Sequence, residues 1–438
     1  MSPPADHSRE LLGMARLTRM GFEGQDLRPT ARHLIARAEA DTQDANALLD
    51  LSTVLYLMGR TDLAYQTQIQ ALSIRRDFDL PARDRRAPFR RLLALMTTGD
   101  LMVNAPLPLL LEGSDIELTL LYLLPDEPLP ERLPQHEVLY VAISESDRTQ
   151  MMLQQLQLSL ASHARPLLNQ PARIAQTGRD HAHRLLAGSA HVLMPTTDRL
   201  TRQALGTHAP ADTMFPLIIR PVDSHAGNEL DKIDDPAGLN RYLAASARDE
   251  FFVARFIDYR SGDGLYRKYR IVLIQGRPYA GHMAVSTHWM IHYLNADMTL
   301  HAGRRAEEAG FMAGFDSHFA ARHAQALTDI AIRFGLDYLV IDCAEAEDGR
   351  LIVFEVDPGA VIHLMDPQTL FPYKQAPMQA LFTAFRDMVC HPDRAWGETR
   401  CLASASGRPG RSRPDPIGGD ARHQHDQYQA EHHQGNEG

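Results

Sequence analysis

The sequence predicts a mixed α+β and α/β chain, and three observations carry that prediction. The first eighty residues are helical in pattern. From Asp100 onward, apolar strand-like runs alternate with turns and a helix. Between residues 336 and 358, two β-rich runs flank an Asp-Gly pair. At 438 residues the chain is long enough for two or three domains with sizeable cores, and its 44% hydrophobic content supports burial along most of that length.

Composition narrows the class further. The formal charge of -10 comes from intermixed acids and bases, with no basic block to track a phosphate backbone, so nucleic acid is not an expected partner. Cys343, Cys390 and Cys401 are widely spaced, odd in number and without CxxC pairing, which points away from a disulfide framework or a structural zinc site. The start lacks a charged segment followed by an apolar one, and acids break every long apolar stretch. The expectation is a soluble cytoplasmic protein with no membrane partner.

In the helical front, Ala31 and Ala38 recur as Ala64 and Ala71 with the same spacing, and Gly59 falls between two helices. Small residues on one helix face let a neighbouring helix approach closely. Two readings stay open: a helical hairpin packed on the next domain, or a groove for a peptide or protein partner. An arginine-rich stretch at 83 to 91 leads into the second unit. Residues 116 to 124 read as a strand, 125 to 134 as a proline-rich loop, 138 to 143 as a buried strand closing on an acidic turn, and 149 to 162 as a helix. That order suits an α/β layer binding ligands at the carboxyl ends of its strands. Beyond about Asp393 almost no apolar residues remain, so the tail cannot form a core; His423, His425, His432 and His433 read as incidental histidines rather than metal ligands.

The strongest chemical signal is the hairpin at 336 to 358. If Asp348-Gly349 forms a two-residue turn, Glu347 faces Arg350 and Asp342 lies directly opposite Glu355. The two-residue period of a strand adds Asp357 to that face. Like charges directly across a sheet are destabilising, so a cation belongs there. Oxygen-only ligands favour magnesium or manganese, which bind through one or two carboxylates plus nucleotide phosphates. The competing reading is a hydrated acidic edge, but Ile341, Phe354, Val356 and Pro358 make the surroundings apolar, where unpaired charge is costly.

Upstream, residues 217 to 220 form an apolar run ending in Arg220, followed by a loop with small residues at Ser224, Ala226 and Gly227. Such a loop brings backbone amides close to phosphate oxygens, although neither a Walker loop nor a GxGxxG fingerprint is present. A strand at 251 to 258, a Gly-Asp-Gly turn and a basic strand at 267 to 270 follow. Arg270 thus stands at the mouth of a buried strand, as a cation able to neutralise a transferring phosphoryl group or as a surface charge at a strand end.

Taken together, IIRPVDSHAGNEL, FFVARFIDY, RKYRIVLIQGRPY and DYLVIDCAEAEDGRLIVFEVDPGA resemble the ATP-grasp superfamily, closest to glutathione synthetases and ribosomal-protein glutamate ligases. The resemblance runs from about residue 138 to 392. The segment at 46 to 72 resembles a tetratricopeptide repeat in part. What this implies is an ATP-grasp fold, two α+β subdomains gripping ATP, at 194–395, an α/β domain before it at 96–193, a tetratricopeptide-like helical region at 1–95 and a disordered tail at 396–438.

By the same resemblance, Arg220 stands for the strand cation on the phosphates, and Ser224, His225, Ala226 and Gly227 form the lid. Ala254, Arg255 and Phe256 form the hinge whose backbone meets adenine, Asp258 approaches the ribose, and His181 replaces a second phosphate-binding lysine. Arg270 is the catalytic strand arginine. Asp342, Glu355 and Asp357 are the ligands of Mg2+ or Mn2+. Arg220, His181, Asp357 and Lys268 depart from the family's usual lysines, asparagine and acidic residue at those places.

The implied reaction joins a small-molecule or peptide carboxylate to an amine or thiol through an acyl phosphate, using ATP. His288, His292, Tyr293 and His363 are candidates to face the substrate. Two rivals stay open: a kinase phosphorylating a hydroxyl on the same fold, and a non-catalytic ATP-binding helical adaptor.

Overall fold

Four helices come first in the computed structural model, which describes residues 10–83, 89–125, 127–207, 215–224 and 227–394. All of these lie in the first of two units, 1–397. His225, Ala226, most of the arginine-rich stretch and the tail with its histidines lie outside the described residues. The helices are α1 (Met14–Phe22), α2 (Arg28–Ala40), α3 (Ala45–Leu57) and α4 (Thr61–Ile74). Asp44 caps α3 by accepting the Ala47 N–H at 2.9 Å, and Gly59, at φ 74°, supplies the left-handed residue that ends it.

Ala45, Leu48 and Leu49 of α3 and Ala71 and Leu72 of α4 share one core with the sheet that follows, so the hairpin is a packed flank of that layer. A repeat array is not confirmed.

That layer is a five-stranded sheet of β1 (Asp77–Leu80), β2 (Arg90–Thr97), β3 (Ile116–Leu123), β4 (Val138–Val141) and β5 (Leu167–Leu168), in the order β1-β3-β2-β4-β5. All its neighbours are parallel except β1, which runs antiparallel to β3. The boundary expected at residue 95 therefore falls inside β2, because the sheet begins directly after α4. Helices α5 (Leu107–Leu110), α6 (Gln150–Ser159) and α7 (Pro171–Ile174) belong to this layer, and α8 (Arg179–Leu186) and β6 (Val192–Leu193) lead out of it.

Two further sheets follow. β7 (Thr197–Thr201), α9 (Arg202–Thr207), β8 (Leu217–Pro221), β9 (Asp231–Ile233), α10 (Pro236–Ala245) and β10 (Glu250–Arg255) build a four-stranded antiparallel sheet, β7-β10-β8-β9. It has a separate core, with Leu217, Ile219, Leu239 and Phe251 buried together. β11 (Tyr266–Ile274), β12 (Arg277–Ser286), β13 (Tyr338–Glu345) and β14 (Leu351–Asp357) form the last sheet with β6, in the order β12-β11-β13-β14-β6. Helices α11 (Ala302–Ala313), α12 (Phe319–Arg322), α13 (Ala324–Phe334) and α14 (Gln375–Cys390) complete the chain's described part. Side chains from both of these sheets line one cavity of about 490 Å³.

Asp342 pairs with Glu355 as expected, but by another route. The turn is a three-residue loop: the Gly349 N–H donates to Ala346 O at 3.0 Å, the Ala346 N–H donates to Arg350 O at 2.9 Å, and Gly349 sits at φ 86°. This sets Glu345 against Leu351 and Cys343 against Val353. A bulge at Phe354 then inserts one residue into β14 and brings Glu355 opposite Asp342.

Candidate active site

Asp342, Glu355 and Asp357 all line the cavity, because pairing and the strand period put them on one face. Asp342 is 4% exposed and already has cations on it. Arg270, its direct partner on β11, donates Nε to Oδ1 at 2.7 Å and Nη2 to Oδ2 at 2.9 Å, and Lys268 Nζ lies 2.7 Å from Oδ2. Burial pushes the Asp342 carboxyl up, but Arg270 and Lys268 outweigh it and hold the group well below the usual carboxylate range. On the other side of Arg270, β12 bulges at Gly281, where a Cβ would lie 2.9 Å from Arg270 O.

Glu355 is bonded by Arg179, whose Nη1 also donates to Phe354 O at 3.0 Å. Burial acts against ionisation of Glu355, yet Arg179 first and Arg220 next bring its carboxyl below the ordinary value. Asp357 behaves in the opposite sense. Burial, then the neighbouring Glu355 charge, raise it to about 7, and its protein hydrogen bond is the Gly359 N–H at 2.7 Å. Among the described residues no group of three His, Cys, Asp or Glu side chains is arranged to hold a metal ion. Of the three carboxylates expected to hold a metal, Asp342 has both oxygens on Arg270 and Lys268. What fits a divalent cation is the pair Glu355 and Asp357: two oxygen donors two residues apart on one face, with repulsion between them to relieve.

Arg220 is 8% exposed and lines the same cavity. Its Nε donates to Ser224 Oγ at 3.0 Å and its Nη2 to Ser224 O, but among the described residues no carboxylate forms an ion pair with it. Burial first, then the Arg179 charge, push the guanidinium down to about 9. A guanidinium stays protonated at neutral pH, so that shift marks a buried cation short of negative charge. Gly227, at φ 76°, borders the cavity beyond this strand.

Of the expected hinge, Ala254, Arg255 and Phe256 all line the cavity. The Phe256 N–H donates to Pro216 O at 2.9 Å. The Asp258 carboxylate is held by Arg260 at 2.6 Å on an exposed turn, apart from the cavity lining. His181 turns to Asp180 at 3.1 Å and lies outside the lining, while Arg179 enters the cavity in its stead.

His292, Tyr293 and His363 reach the cavity and His288 does not, being exposed beyond it. Tyr293 Oη is tied to Glu308 at 3.0 Å and to Lys374, whose Nζ meets Asp366 at 2.8 Å. Burial lowers His363 to about 4, so its ring is neutral in this setting.

Arg179, Lys374 and His282 also line the cavity and were not singled out as site residues by sequence. His282 could have been found from register, as the residue across from Arg270. Arg179 and Lys374 carry no local signal of this kind.

No family model and no curated protein matches the chain. It is similar to solved structures. One is the D-alanine–D-alanine ligase from Bacillus anthracis complexed with ATP, at 13% identity, covering 68% of this chain and 97% of that chain with a TM-score of 0.44. Another is an ATP-grasp RimK domain protein from Sphaerobacter thermophilus, at 15% identity, covering 67% and 98% with a TM-score of 0.41. A third is the VanG D-Ala:D-Ser ligase from Enterococcus faecalis, at 11% identity, covering 68% and 99% with a TM-score of 0.42. These are likenesses.

Proposed function

We propose that the chain is an ATP-dependent ligase of the ATP-grasp type, joining a small-molecule or peptide carboxylate to an amine or thiol through an acyl phosphate. The observation that supports it is the cavity's charge arrangement: a buried Arg220 with no carboxylate ion-paired to it among the described residues faces the same space as Glu355 and Asp357, two half-buried neighbouring carboxylates. A polyphosphate answers the first need and a divalent cation the second.

In this reading the triphosphate lies between Arg220 on β8 and Arg270 on β11, with the adenine end against Ala254, Arg255 and Ile257. Glu355 and Asp357 would hold Mg2+ or Mn2+, which supplies charge neutralisation on the phosphate oxygens when bound. Asp342 acts through its neighbours: by pinning Lys268 and Arg270 it fixes two cations beside the γ-phosphate. A substrate carboxylate oxygen then attacks the γ-phosphorus, the bond to the β-phosphate oxygen breaks and ADP leaves. The amine or thiol attacks the acyl carbon, and phosphate departs. Little covalent work falls to the protein; positioning and charge do most of it.

Purified chain with MgATP, tested against amino acids, dipeptides and cell extract, should release ADP and phosphate together with an amide or thioester. ADP release with a phosphorylated hydroxyl and no joined product points to a kinase instead, and ATP binding without any ADP release to an adaptor. Glu355→Gln should lower turnover at least about a hundredfold, from loss of several kcal/mol of charge stabilisation, with an unchanged circular dichroism spectrum. Wild-type turnover in that variant refutes the assigned site.

A further inference from the structure

We infer that α1 is one wall of the substrate chamber, and that Thr18 and Phe22 on it select the non-nucleotide substrate: one carrying an uncharged amide or hydroxyl beside an apolar group. The inference rests on the ligase reading for what is being selected, but not for where these side chains point. Both residues line the cavity that holds Arg270, Asp342 and Glu355.

Thr18 Oγ1 is buried and has no hydrogen-bond partner. A helical threonine normally satisfies its hydroxyl on the carbonyl four residues back, and this chain does so elsewhere. Thr67 bonds to Leu63 O at 2.7 Å and Thr328 to Ala324 O at 2.7 Å. A buried hydroxyl left without a partner at a cavity wall is an open position for a ligand atom. Phe22 is 36% exposed, and its ring lies 5.1 Å from the His363 ring. His363 follows the carboxylate strand by a few residues, so the ring pair bridges the helical front to the reaction centre.

The start of this wall is fastened at more than one point. The Leu12 and Gly13 amides donate to the buried Asp50 carboxylate at 2.7 and 2.9 Å, and Gly13, at φ 82°, leaves no room for a Cβ against Leu80. Further along, Ala15 packs with Leu109 and Met365. The start of α1 is thus tied both to α3 and to the segment that carries Met365 and His363. No ionised side chain stands among Thr18, Phe22, Met102 and Met365, so this wall offers one hydroxyl and apolar surface. An amide or alcohol on an apolar body matches that hydroxyl and that surface, with the charges of Arg270, Asp366 and Lys374 further along the same lining.

The test uses the full chain. ADP release is measured with free amino acids, dipeptides and amino-acid amides as substrates. For whichever of these is active, Thr18→Val should raise its KM about tenfold, the size of one lost hydrogen bond with its desolvated partner, and leave the KM for ATP within about twofold. Thr18→Ser should restore the KM. An unchanged KM in Thr18→Val overturns the inference.

A second measurement does not depend on turnover. Cys343 and Cys390 are buried, so Thr18→Cys in a Cys401→Ser background gives one chamber-facing thiol. Iodoacetamide should modify it in the native chain. A thiol that reacts only after urea is added places position 18 against protein and overturns the wall, whereas an absence of ADP with every substrate would count against the ligase reading alone.

Discussion

Arg220 shows most directly how a single residue can be spent on function at the expense of the resting fold. Its guanidinium is buried with a serine hydroxyl and a carbonyl for company and has another arginine nearby. The Glu355 charge offsets this in part, but burying a cation without a bonded anion is costly, and an apolar side chain of similar length is often the more stable choice. Arg220→Met should therefore raise the melting temperature of the nucleotide-free chain while lowering kcat/KM for ATP by roughly 10- to 100-fold, the range for a charge-assisted contact in a closed site. Scanning calorimetry and ADP release on the same preparation check both halves. A variant that loses stability along with activity would mean that Arg220 is a structural strut. Arg220→Lys should fall between, because lysine keeps the charge but not the fork that grips Ser224.

The helix α1 turns on Asp50, which is 1% exposed inside α3 and accepts both amides at the start of α1. Burial pushes this carboxyl up to about 7, against the pull of the Leu12 and Gly13 amides and of Arg37, with Asp44 adding to the rise. In the unfolded chain an aspartate titrates near 4. Between about pH 4 and 7 the folded state thus keeps a proton that the unfolded state has given up. Stability from this group is complete below the unfolded value and is lost as pH rises through the folded one, by roughly 4 kcal/mol at most. Asp50→Asn removes the titration, so its urea midpoint should fall less than that of the native chain between pH 4.5 and pH 7.5. Parallel curves for the two proteins would show that Asp50 is not the group responsible. Along the chain, this contact joins residues 37 and 38 apart, which local periodicity does not register; the helices were legible from their apolar spacing, but what fastens them was not.

Over the whole molecule, legibility followed chain separation. Asp342 and Glu355 are 13 residues apart on one hairpin, and counting placed them opposite each other although the turn and the bulge each moved the register by one, in compensating directions. Arg179 reaches Glu355 across 176 residues, and nothing local marks it. Side chains two apart at the head of a helix point nearly to opposite sides, so Arg179 and His181 could not both enter the cavity, and a family pattern alone chose the one that stays outside. The cavity itself is assembled from both later sheets and from α1, and this makes ligand binding a property of the entire described unit. MgATP should accordingly stabilise the fold as a whole, by about 2.7 kcal/mol at a hundred times its dissociation constant. ATP without a divalent ion should give a smaller rise in melting temperature, because a triphosphate brought beside Glu355 and the Asp357 carboxylate adds negative charge to a face that already repels it. Thermal scans with ATP, with Mg2+ and with both decide the matter. Equal shifts for ATP with and without Mg2+ would remove the metal from the carboxylate pair, and no shift with either would remove the nucleotide from the cavity.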